Sequence, residues 1–446
     1  MTALSSPTPA TAPPWTCPFC SLHCDSLALR PQDDGSWALD GTDCPRALAG
    51  LAQVPSRAVT GTPLVNDRPA TLDEALDAAA ALLRGRQAPL VGGWATDILG
   101  ARALFRLTAA LGAVGDHAHG EALTTALRAQ QDRGGYTTTL AEVRERADLV
   151  LCVGSQPSAH YPEFFRRCAA GEPVNGAPRR IVFLGAPVDA ALPATITQSL
   201  PLAGDLFDTL SLLEALVAKR PVRNAPEALA ALAQQLRDAH YPVLVVETGA
   251  LPAHGALVIE AVARLVNLMN LTGRAAVISL GGSDGGYSAQ QAHTWLSGLP
   301  LRTRFGPAGM DHDPVRHSTA RLLGQQEADA LVWVASITPE DAVPETAVPR
   351  VVFGHPALPV PTGDVVFIPV ATPGIGAGGQ LYRSDGTVIV PLHPVIDQAL
   401  PALPAVVDGL LQRLKDAVRA PGRPKPDRIP PGDRSMYPSN EGHESP

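Results

Sequence analysis

Four cysteines near the amino terminus constrain the fold of this chain more than any other feature of its sequence. Cys17, Cys20 and Cys24 form a Cys-x2-Cys-x3-Cys run, Cys44 follows further on, and the next cysteine is Cys152. Thiolates this close in sequence cannot all point away from one another, so a shared soft metal explains them most simply. The run therefore predicts a small metal-binding unit at the start of the chain.

Zinc and an iron–sulfur cluster are the two groups that such a run could hold. Structural zinc sites usually pair one Cys-x2-Cys with a second, or with two histidines, and here the second pair is missing. A compact loop that supplies three corners and a distant cysteine that supplies the fourth suit a cubane cluster, so we favour iron–sulfur. His23 could also be a ligand, but a position beside the ligands or at the surface explains it more simply.

Two interpretations of the cysteines need no metal. Disulfides are disfavoured because the first residues lack the charged and apolar regions of a secretory signal, and a cytoplasmic chain keeps its thiols reduced. A degenerate loop that binds nothing is the other interpretation. We favour a metal over both.

The composition argues against two classes of function. The 446 residues carry a formal net charge of −8, and no basic run is interleaved with aromatic residues, so a nucleic-acid surface is disfavoured. No apolar stretch is long enough for a membrane helix, so we expect a cytoplasmic protein. Proline-rich ends with few apolar residues predict disorder over 1–14 and 420–446.

Between these ends the sequence predicts an α/β fold. Apolar runs alternate with amphipathic helices, which is typical of doubly wound, mostly parallel sheets. Strands are predicted over 88–94, 148–154, 179–185, 241–247, 275–280, 330–335, 350–353 and 365–368. Helices are predicted over 97–111, 206–219, 226–239 and 256–270.

Three predicted strands end in turns of small or polar residues, over 92–97, 154–157 and 281–286. Ligands of open α/β sheets bind at the carboxyl ends of strands, so these turns are candidate binding loops. None of them fits a dinucleotide or Walker motif, and tight turns that need glycine explain them equally well.

Five segments carry a resemblance to a known family: the cysteine run with Asp25, residues 139–150, the Gly154-Ser155-Gln156-Pro157 turn, and residues 294–300 and 373–386. Together they make the chain resemble the B subunit of formylmethanofuran dehydrogenase, a family of the molybdopterin oxidoreductases. Within that group it is similar to the B subunit of the formyltransferase/hydrolase complex of aerobic methylotrophs.

The resemblance implies a domain order and a cofactor. It implies a small iron–sulfur-type domain over 15–57, followed by molybdopterin-oxidoreductase-like α/β domains over 58–419. It also implies a 4Fe-4S cluster whose ligands are Cys17, Cys20, Cys24 and Cys44.

One departure from the family bears on the mechanism. Redox members hold a molybdenum or tungsten pterin through a cysteine followed by a histidine, and Ala122 and Leu123 stand at the matching positions here. Neither side chain has a donor atom for a metal. Cys152 reads as an ordinary core thiol and Cys168 as a helix residue. We therefore expect the molybdenum or tungsten pterin to be absent.

A pair of histidines follows a different pattern. His117 and His119 lie two apart, with Asp116 and Glu121 beside them, and His160 could be near in space. Two histidines on one face of a strand could bind a metal. Histidines in a loop are more often hydrogen-bonded or solvated, so we favour that interpretation.

The resemblance and its departure lead to competing hypotheses. In the first, the chain is a non-redox scaffold in a formyltransferase/hydrolase complex of formaldehyde and formate metabolism, with amidohydrolase-like and formyltransferase-like partner subunits and a furan or pterin one-carbon carrier. In the second, it is an active formylmethanofuran dehydrogenase subunit with a tungsten or molybdenum pterin and a 4Fe-4S cluster. An electron relay that carries the cluster alone is a third class. The sequence identifies no catalytic residue.

Overall fold

The computed structural model describes residues 14–54, 61–174, 176–397 and 399–419. The disorder predicted for 1–14 and 420–446 therefore falls, apart from Pro14, outside the described residues. Within them, no helix is both long enough and apolar enough to cross a membrane.

Helices and strands alternate along most of the described chain. The strands are β1 (Ala28–Pro31), β2 (Trp37–Asp40), β3 (Leu64–Val65), β4 (Arg68–Pro69), β5 (Pro89–Ala95), β6 (Val114–Gly115), β7 (Leu149–Val153), β8 (Arg180–Leu184), β9 (Thr197–Leu200), β10 (Pro242–Glu247), β11 (Ala276–Leu280), β12 (Thr303–Gly306), β13 (Gly309–His312), β14 (Ala330–Ala335), β15 (Arg350–Gly354), β16 (Val365–Pro369), β17 (Gly379–Tyr382) and β18 (Ile389–Leu392). The α-helices are α1 (Pro45–Ala52), α2 (Leu72–Leu83), α3 (Ile98–Leu111), α4 (Gly120–Arg133), α5 (Leu140–Arg146), α6 (Phe164–Arg167), α7 (Leu206–Val217), α8 (Glu227–Asp238), α9 (Gly255–Met269), α10 (Gly286–Ser297), α11 (Thr319–Gly324) and α12 (Leu403–Arg419).

Two large sheets organise the described residues. The first has the order β11-β10-β7-β8-β9, and all of its strands are parallel. The second has the order β13-β12-β6-β5-β14-β15-β16-β3-β4. Its strands are parallel from β6 to β16, and an antiparallel hairpin lies at each edge. The chain is therefore a mixed α/β protein whose sheets are parallel at their centres.

All of the predicted strands and helices are present, and their ends agree with the prediction to within about two residues. The long apolar runs predicted the central strands correctly because these strands are buried on both faces. The edge hairpins β3–β4 and β12–β13 were not predicted. Their strands have two to four residues each, and apart from the buried Thr303 their residues are exposed or only partly buried, so they leave no clear pattern.

The five-stranded sheet has different partners on its two faces. Leu149, Leu151 and Val153 of β7 pack in a core with α7, α8 and α9. The alternate residues, Val150 and Cys152, pack in a core that includes the side chains of the amino-terminal cysteine segment. The cysteine segment therefore shares its core with this sheet instead of enclosing one of its own.

The backbones of β5 and β14 approach each other closely at Gly93, and this contact determines the local backbone conformation. Gly93 has a φ of +83°, and a Cβ built on it would lie 2.3 Å from the carbonyl oxygen of Val334. The register between these two strands shifts at the same place. Only glycine combines this conformation with this contact, so the bulge depends on Gly93.

We predict that Gly93→Ala destabilises the protein by about 3 kcal/mol or more, because a left-handed conformation and an overlap with backbone atoms add together. Gly85→Ala is the matched control, since Gly85 has a φ of +77° and a Cβ added there would meet nothing within 4 Å. The control should cost only about 1–2 kcal/mol. Urea denaturation followed by circular dichroism measures both, and equal losses would contradict the steric role.

Candidate functional site

The candidate site lies where the carboxyl ends of strands from both sheets meet. The turn after β11 carries Asp284, the loop after β6 carries His117 and His119, and the loop after β14 carries Asp341. A Cβ on Gly285 would lie 1.8 Å from the carbonyl oxygen of Thr96, so the turn after β11 closely approaches the end of β5. The carboxyl ends of parallel strands are the usual place for ligands in such folds.

One imidazole and two carboxylates converge at this site. His119 Nε2 lies 3.5 Å from Asp284 Oδ2 and 3.3 Å from Asp341 Oδ1. The ligand atoms of the three side chains all lie within 4.8 Å of one another. Asp284 and Asp341 are buried, whereas the His119 side chain is 51% exposed.

Within the cluster, His119 and Asp284 shift each other's pKa. Interaction with the carboxylate of Asp284 and then with that of Asp341 raises the pKa of His119 to about 10. Burial opposes ionisation of Asp284, but His119 and Arg46 outweigh it and hold the pKa of that carboxyl below its usual value. Burial lowers the pKa of His117, whose Nε2 lies 3.3 Å from the backbone oxygen of Asp284.

A buried ion pair fixes the loop that carries the histidines. Asp116 accepts hydrogen bonds from the backbone amide of His117 at 3.0 Å, from Arg302 Nε at 3.1 Å and from the backbone amide of Thr319 at 2.8 Å. Arg302 also bonds to Glu121 at 3.2 Å. A cavity of about 840 Å³ lies beside this pair. Asp116 and Glu121 thus hold Arg302 and do not join His117 and His119 in a cluster.

His160, which could have lain near the histidine pair, contacts a different carboxylate. His160 Nδ1 is 2.5 Å from Oε1 of Glu247, at the end of β10, and burial raises the pKa of Glu247. The carboxylates beside His119 in the structure are therefore Asp284 and Asp341, not its sequence neighbours Asp116 and Glu121. Asp284 was within reach of prediction, since it lies in the glycine-rich turn over 281–286, but nothing near Asp341 in sequence sets it apart.

The four predicted cysteines line one small cavity. Cys17, Cys20, Cys24 and Cys44 are all buried, and their thiols are free. Burial, followed by repulsion from the neighbouring thiols, raises the pKa of Cys17 well above its usual value. Burial likewise raises the pKa of Cys20 to about 12. Several thiolates in this cavity need a cation to offset their charge.

The spacing of the sulfurs tests which metal group fits. A zinc ion bound by four sulfurs at about 2.3 Å holds them about 3.8 Å apart. Among the described residues, the cysteine sulfurs form no group of three within 4.8 Å of one another. A cubane places its four ligands on separate iron corners and so accepts a wider spacing. The positive charges of Arg46 and Arg167, near Cys20 and Cys24 respectively, suit a cluster with net negative charge.

A segment from the carboxyl-terminal third of the chain packs against the cysteine loop. Trp15 Nε1 donates to the carbonyl of Gly374 at 2.9 Å, and the backbone amide of Ser384 donates to the carbonyl of Ser21 at 2.8 Å. Arg383 pairs with Asp25 at 2.6 Å. The segment over 373–386, which carries part of the family resemblance, therefore forms a wall of the cysteine unit.

His23 is buried within this unit, so of its two predicted positions the structure shows the one beside the cysteines and not the one at the surface. Burial lowers its pKa to about 4, and its Nδ1 lies 3.3 Å from the carbonyl of Cys17. Its Nε2 is buried with no hydrogen-bond partner.

Arg46 connects the cysteine unit to the histidine–aspartate cluster. Its Nε donates to the carbonyl of Phe19 at 2.5 Å, and a terminal nitrogen lies 3.6 Å from Asp284 Oδ2. It follows Cys44 by two residues, at the start of α1. The two candidate sites are therefore neighbours linked by one guanidinium group.

Apolar side chains stand at the two positions where the family resemblance places the metal-pterin ligand of redox members. Ala122 and Leu123 lie on α4 and line a cavity of about 370 Å³ that His119 also borders. Neither can ligate molybdenum or tungsten, so these residues do not fit a ligated metal-pterin centre. Cys152 lies buried in β7, and Cys168 is buried just after α6. Burial raises the pKa of Cys168 to about 12, and that of Cys152 even further, so neither is a ready thiolate.

Known proteins are similar in sequence to this chain along most of its length. The chain matches the Fhc B subunit of the formyltransferase/hydrolase complex of Methylorubrum extorquens with 30% identity over 354 residues, covering 78% of this chain and 95% of that relative. The chain belongs to this family. It is also 25% identical over 429 residues to the B subunit of the tungsten-containing formylmethanofuran dehydrogenase 2 of Methanocaldococcus jannaschii, covering 90% of this chain and 98% of that protein. No protein-family model matches the chain.

Solved structures agree with this membership. The crystal structure of the M. extorquens formyltransferase/hydrolase complex with methylofuran contains a chain that aligns at a TM-score of 0.72 and 28% identity, covering 80% of this chain and all of that one. Acetylene hydratase from Pelobacter acetylenicus aligns at a TM-score of 0.63 and 11% identity, covering 92% of this chain and 70% of that one, which shows the fold alone. The predicted family resemblance is confirmed.

We predict that Asp116→Ala costs about 3–5 kcal/mol, because it leaves the buried Arg302 without its buried counter-ion and frees the loop before α4. Asp408→Ala is the control, since Asp408 pairs with Arg106 at 2.8 Å but both side chains are about half exposed. The control should cost less than about 1 kcal/mol. Urea denaturation of the two variants measures the difference, and equal losses would contradict a structural role for the buried pair.

Proposed function

We propose that this chain is the B subunit of a formyltransferase/hydrolase complex of one-carbon metabolism and that it acts there as a non-redox scaffold. The observation that carries the proposal is the apolar pair Ala122 and Leu123 on the cavity wall, where a redox member would place its metal ligand. Membership of the family of the Fhc B subunit supports it.

The proposal includes partners and a carrier. The neighbour with a TM-score of 0.72 comes from a complex of several subunits crystallised with methylofuran. We infer that this chain likewise assembles with amidohydrolase-like and formyltransferase-like subunits, in the cytoplasm, and that the complex uses a furan or pterin one-carbon carrier. Formyl transfer and hydrolysis then take place on those partner subunits.

We further propose that Cys17, Cys20, Cys24 and Cys44 hold a 4Fe-4S cluster and that no molybdenum or tungsten pterin is bound. The buried thiols, the lack of a tight group of three sulfurs among the described residues and the flanking guanidinium groups support the cluster. Such a cluster can stabilise a fold or carry one electron at a time. In a scaffold the first role is the one required.

A second candidate function rests on the same four cysteines. An active formylmethanofuran dehydrogenase needs a cluster to carry electrons, and the chain is 25% identical to the B subunit of such an enzyme. The observation against this function is the lack of a donor atom at Ala122 and Leu123. Metal content distinguishes the two functions.

We predict that the chain, co-expressed with its neighbouring subunits and purified without air, contains iron but no stoichiometric molybdenum or tungsten. Elemental analysis measures this, and about one tungsten or molybdenum per chain would overturn the scaffold function. The isolated chain should not oxidise formyl carrier with an artificial dye, whereas the assembled complex should release formate. Dye reduction by the isolated chain would favour the dehydrogenase.

We also predict that Cys20→Ser removes the iron and lowers the melting temperature but leaves formate release by the complex largely intact. The reason is that a structural cluster stabilises the amino-terminal unit without taking part in the reaction. Cys168→Ser is the matched control, because Cys168 is a buried free thiol outside the quartet and should leave the iron content unchanged. Loss of formate release from a Cys20→Ser complex that still assembles would contradict a purely structural role.

A further inference from the structure

We propose that His119, Asp284 and Asp341 form a binding site for a divalent transition-metal ion such as Zn²⁺, with one coordination position open to the neighbouring cavity. This site is separate from the cysteine quartet and does not depend on the proposed function. It also differs from the predicted histidine pair, since two of its three ligands come from distant loops.

The distances between the ligand atoms carry the proposal. Nitrogen and oxygen ligands lie about 2.0–2.2 Å from Zn²⁺, so in a tetrahedron they stand about 3.3–3.5 Å apart. His119 Nε2 stands 3.3 Å from Asp341 Oδ1 and 3.5 Å from Asp284 Oδ2. A charge-assisted hydrogen bond is shorter, at about 2.7–2.9 Å. The spacing matches shared coordination better than direct bonding.

An unpartnered carboxylate oxygen is the second, independent observation. Asp341 is only 8% exposed, and its Oδ2 is buried without a hydrogen-bond partner. An unsatisfied carboxylate oxygen at this depth is costly to bury. Because Oδ1 of the same carboxylate faces His119, a cation between the side chains would interact with the whole group.

The surroundings supply what a metal site needs around its ligands. Thr338 Oγ1 lies 3.5 Å from Asp284 Oδ1, and Arg46 approaches Oδ2 of the same carboxylate at 3.6 Å. Thr338 contacts the oxygen of Asp284 that does not face His119, whereas Arg46 shares Oδ2 with His119. Oδ2 of Asp341 is left for the ion. The competing occupant is a proton on His119, which a bound ion displaces.

Three protein ligands leave a fourth position for water or a bound molecule, as in catalytic zinc sites. The half-exposed His119 lines the cavity of about 370 Å³, together with Thr248, Tyr287 and Ser384. Next to His119, the open position therefore faces a space that is large enough for a small oxygen-donor ligand.

Cobalt(II) is the probe that tests the site. The metal-free full-length chain is titrated with Co²⁺, and the visible d–d bands are followed. Cobalt bound by nitrogen and oxygen gives only these weak bands, whereas cobalt on the cysteines adds a strong thiolate charge-transfer band in the near ultraviolet. We expect one equivalent with d–d bands alone, and this equivalent should persist in Cys20→Ser.

Two variants and one control assign the ion to its ligands. His119→Gln and Asp341→Asn should each weaken Co²⁺ binding by at least about 100-fold, the upper end of what loss of a ligand's hydrogen-bond partner costs. His160→Gln is the matched control, because His160 is also a half-exposed histidine beside a buried carboxylate, with a side-chain exposure of 62%. It should leave binding unchanged.

Each result has a defined meaning. His119→Gln removes the counter-ion of two buried carboxylates and should lower the melting temperature, so its fold is checked first by circular dichroism. Asp341→Asn keeps the side-chain shape and removes one of those buried charges. Absence of thiolate-free Co²⁺ binding by the wild-type chain would overturn the proposal. So would equal affinities for His119→Gln and wild type, because the cluster would then be an ion-paired network only.

Discussion

The contact between the turn after β11 and the end of β5 is the constraint on which the candidate site depends. Gly285 fits against the carbonyl of Thr96 at a distance that leaves no space for a side chain. This contact places Asp284 from the five-stranded sheet beside His119 and Asp341 from the nine-stranded sheet. A residue larger than glycine here would separate the two sheets at the point where their strand ends meet.

The fold was largely predictable from sequence, and the site only in part. Central strands such as β7 and β14 are buried on both faces, so they form uninterrupted apolar runs that are visible locally. The cysteine quartet was equally visible, because three of its members lie within one short loop. The carboxylates around His119 were not, because Asp284 and Asp341 lie far along the chain and only the strand order brings them together. Local periodicity carries no information about such contacts.

The partners that His119 has in the structure show the same limit in physical terms. Asp116 is three residues away, but one of its oxygens bonds to the buried Arg302 and the other to the backbone amide of Thr319. A buried guanidinium needs a counter-ion more than a half-exposed imidazole does. Proximity in sequence therefore mattered less than the requirement that a buried charge be paired.

The family membership and the two sites give a consistent account of divergence. The chain keeps the cysteines, the flanking guanidinium groups and the sheet architecture, whereas the cavity wall is apolar at Ala122 and Leu123. Structural parts that hold a core together are costly to remove, since their loss exposes or unbalances buried groups. Under the proposed scaffold function, a reactive centre can be lost without that cost because the reaction takes place on other subunits.

The closure of residues 373–386 over the cysteine loop has a consequence for how the protein is made. Trp15 and Gly374 are 359 positions apart, and their hydrogen bond cannot form until the later segment has left the ribosome. The cysteine unit is thus completed only after the later segment has been synthesised. During that interval the four thiols lack one wall, so the metal group proposed for them can enter before the protein closes around it.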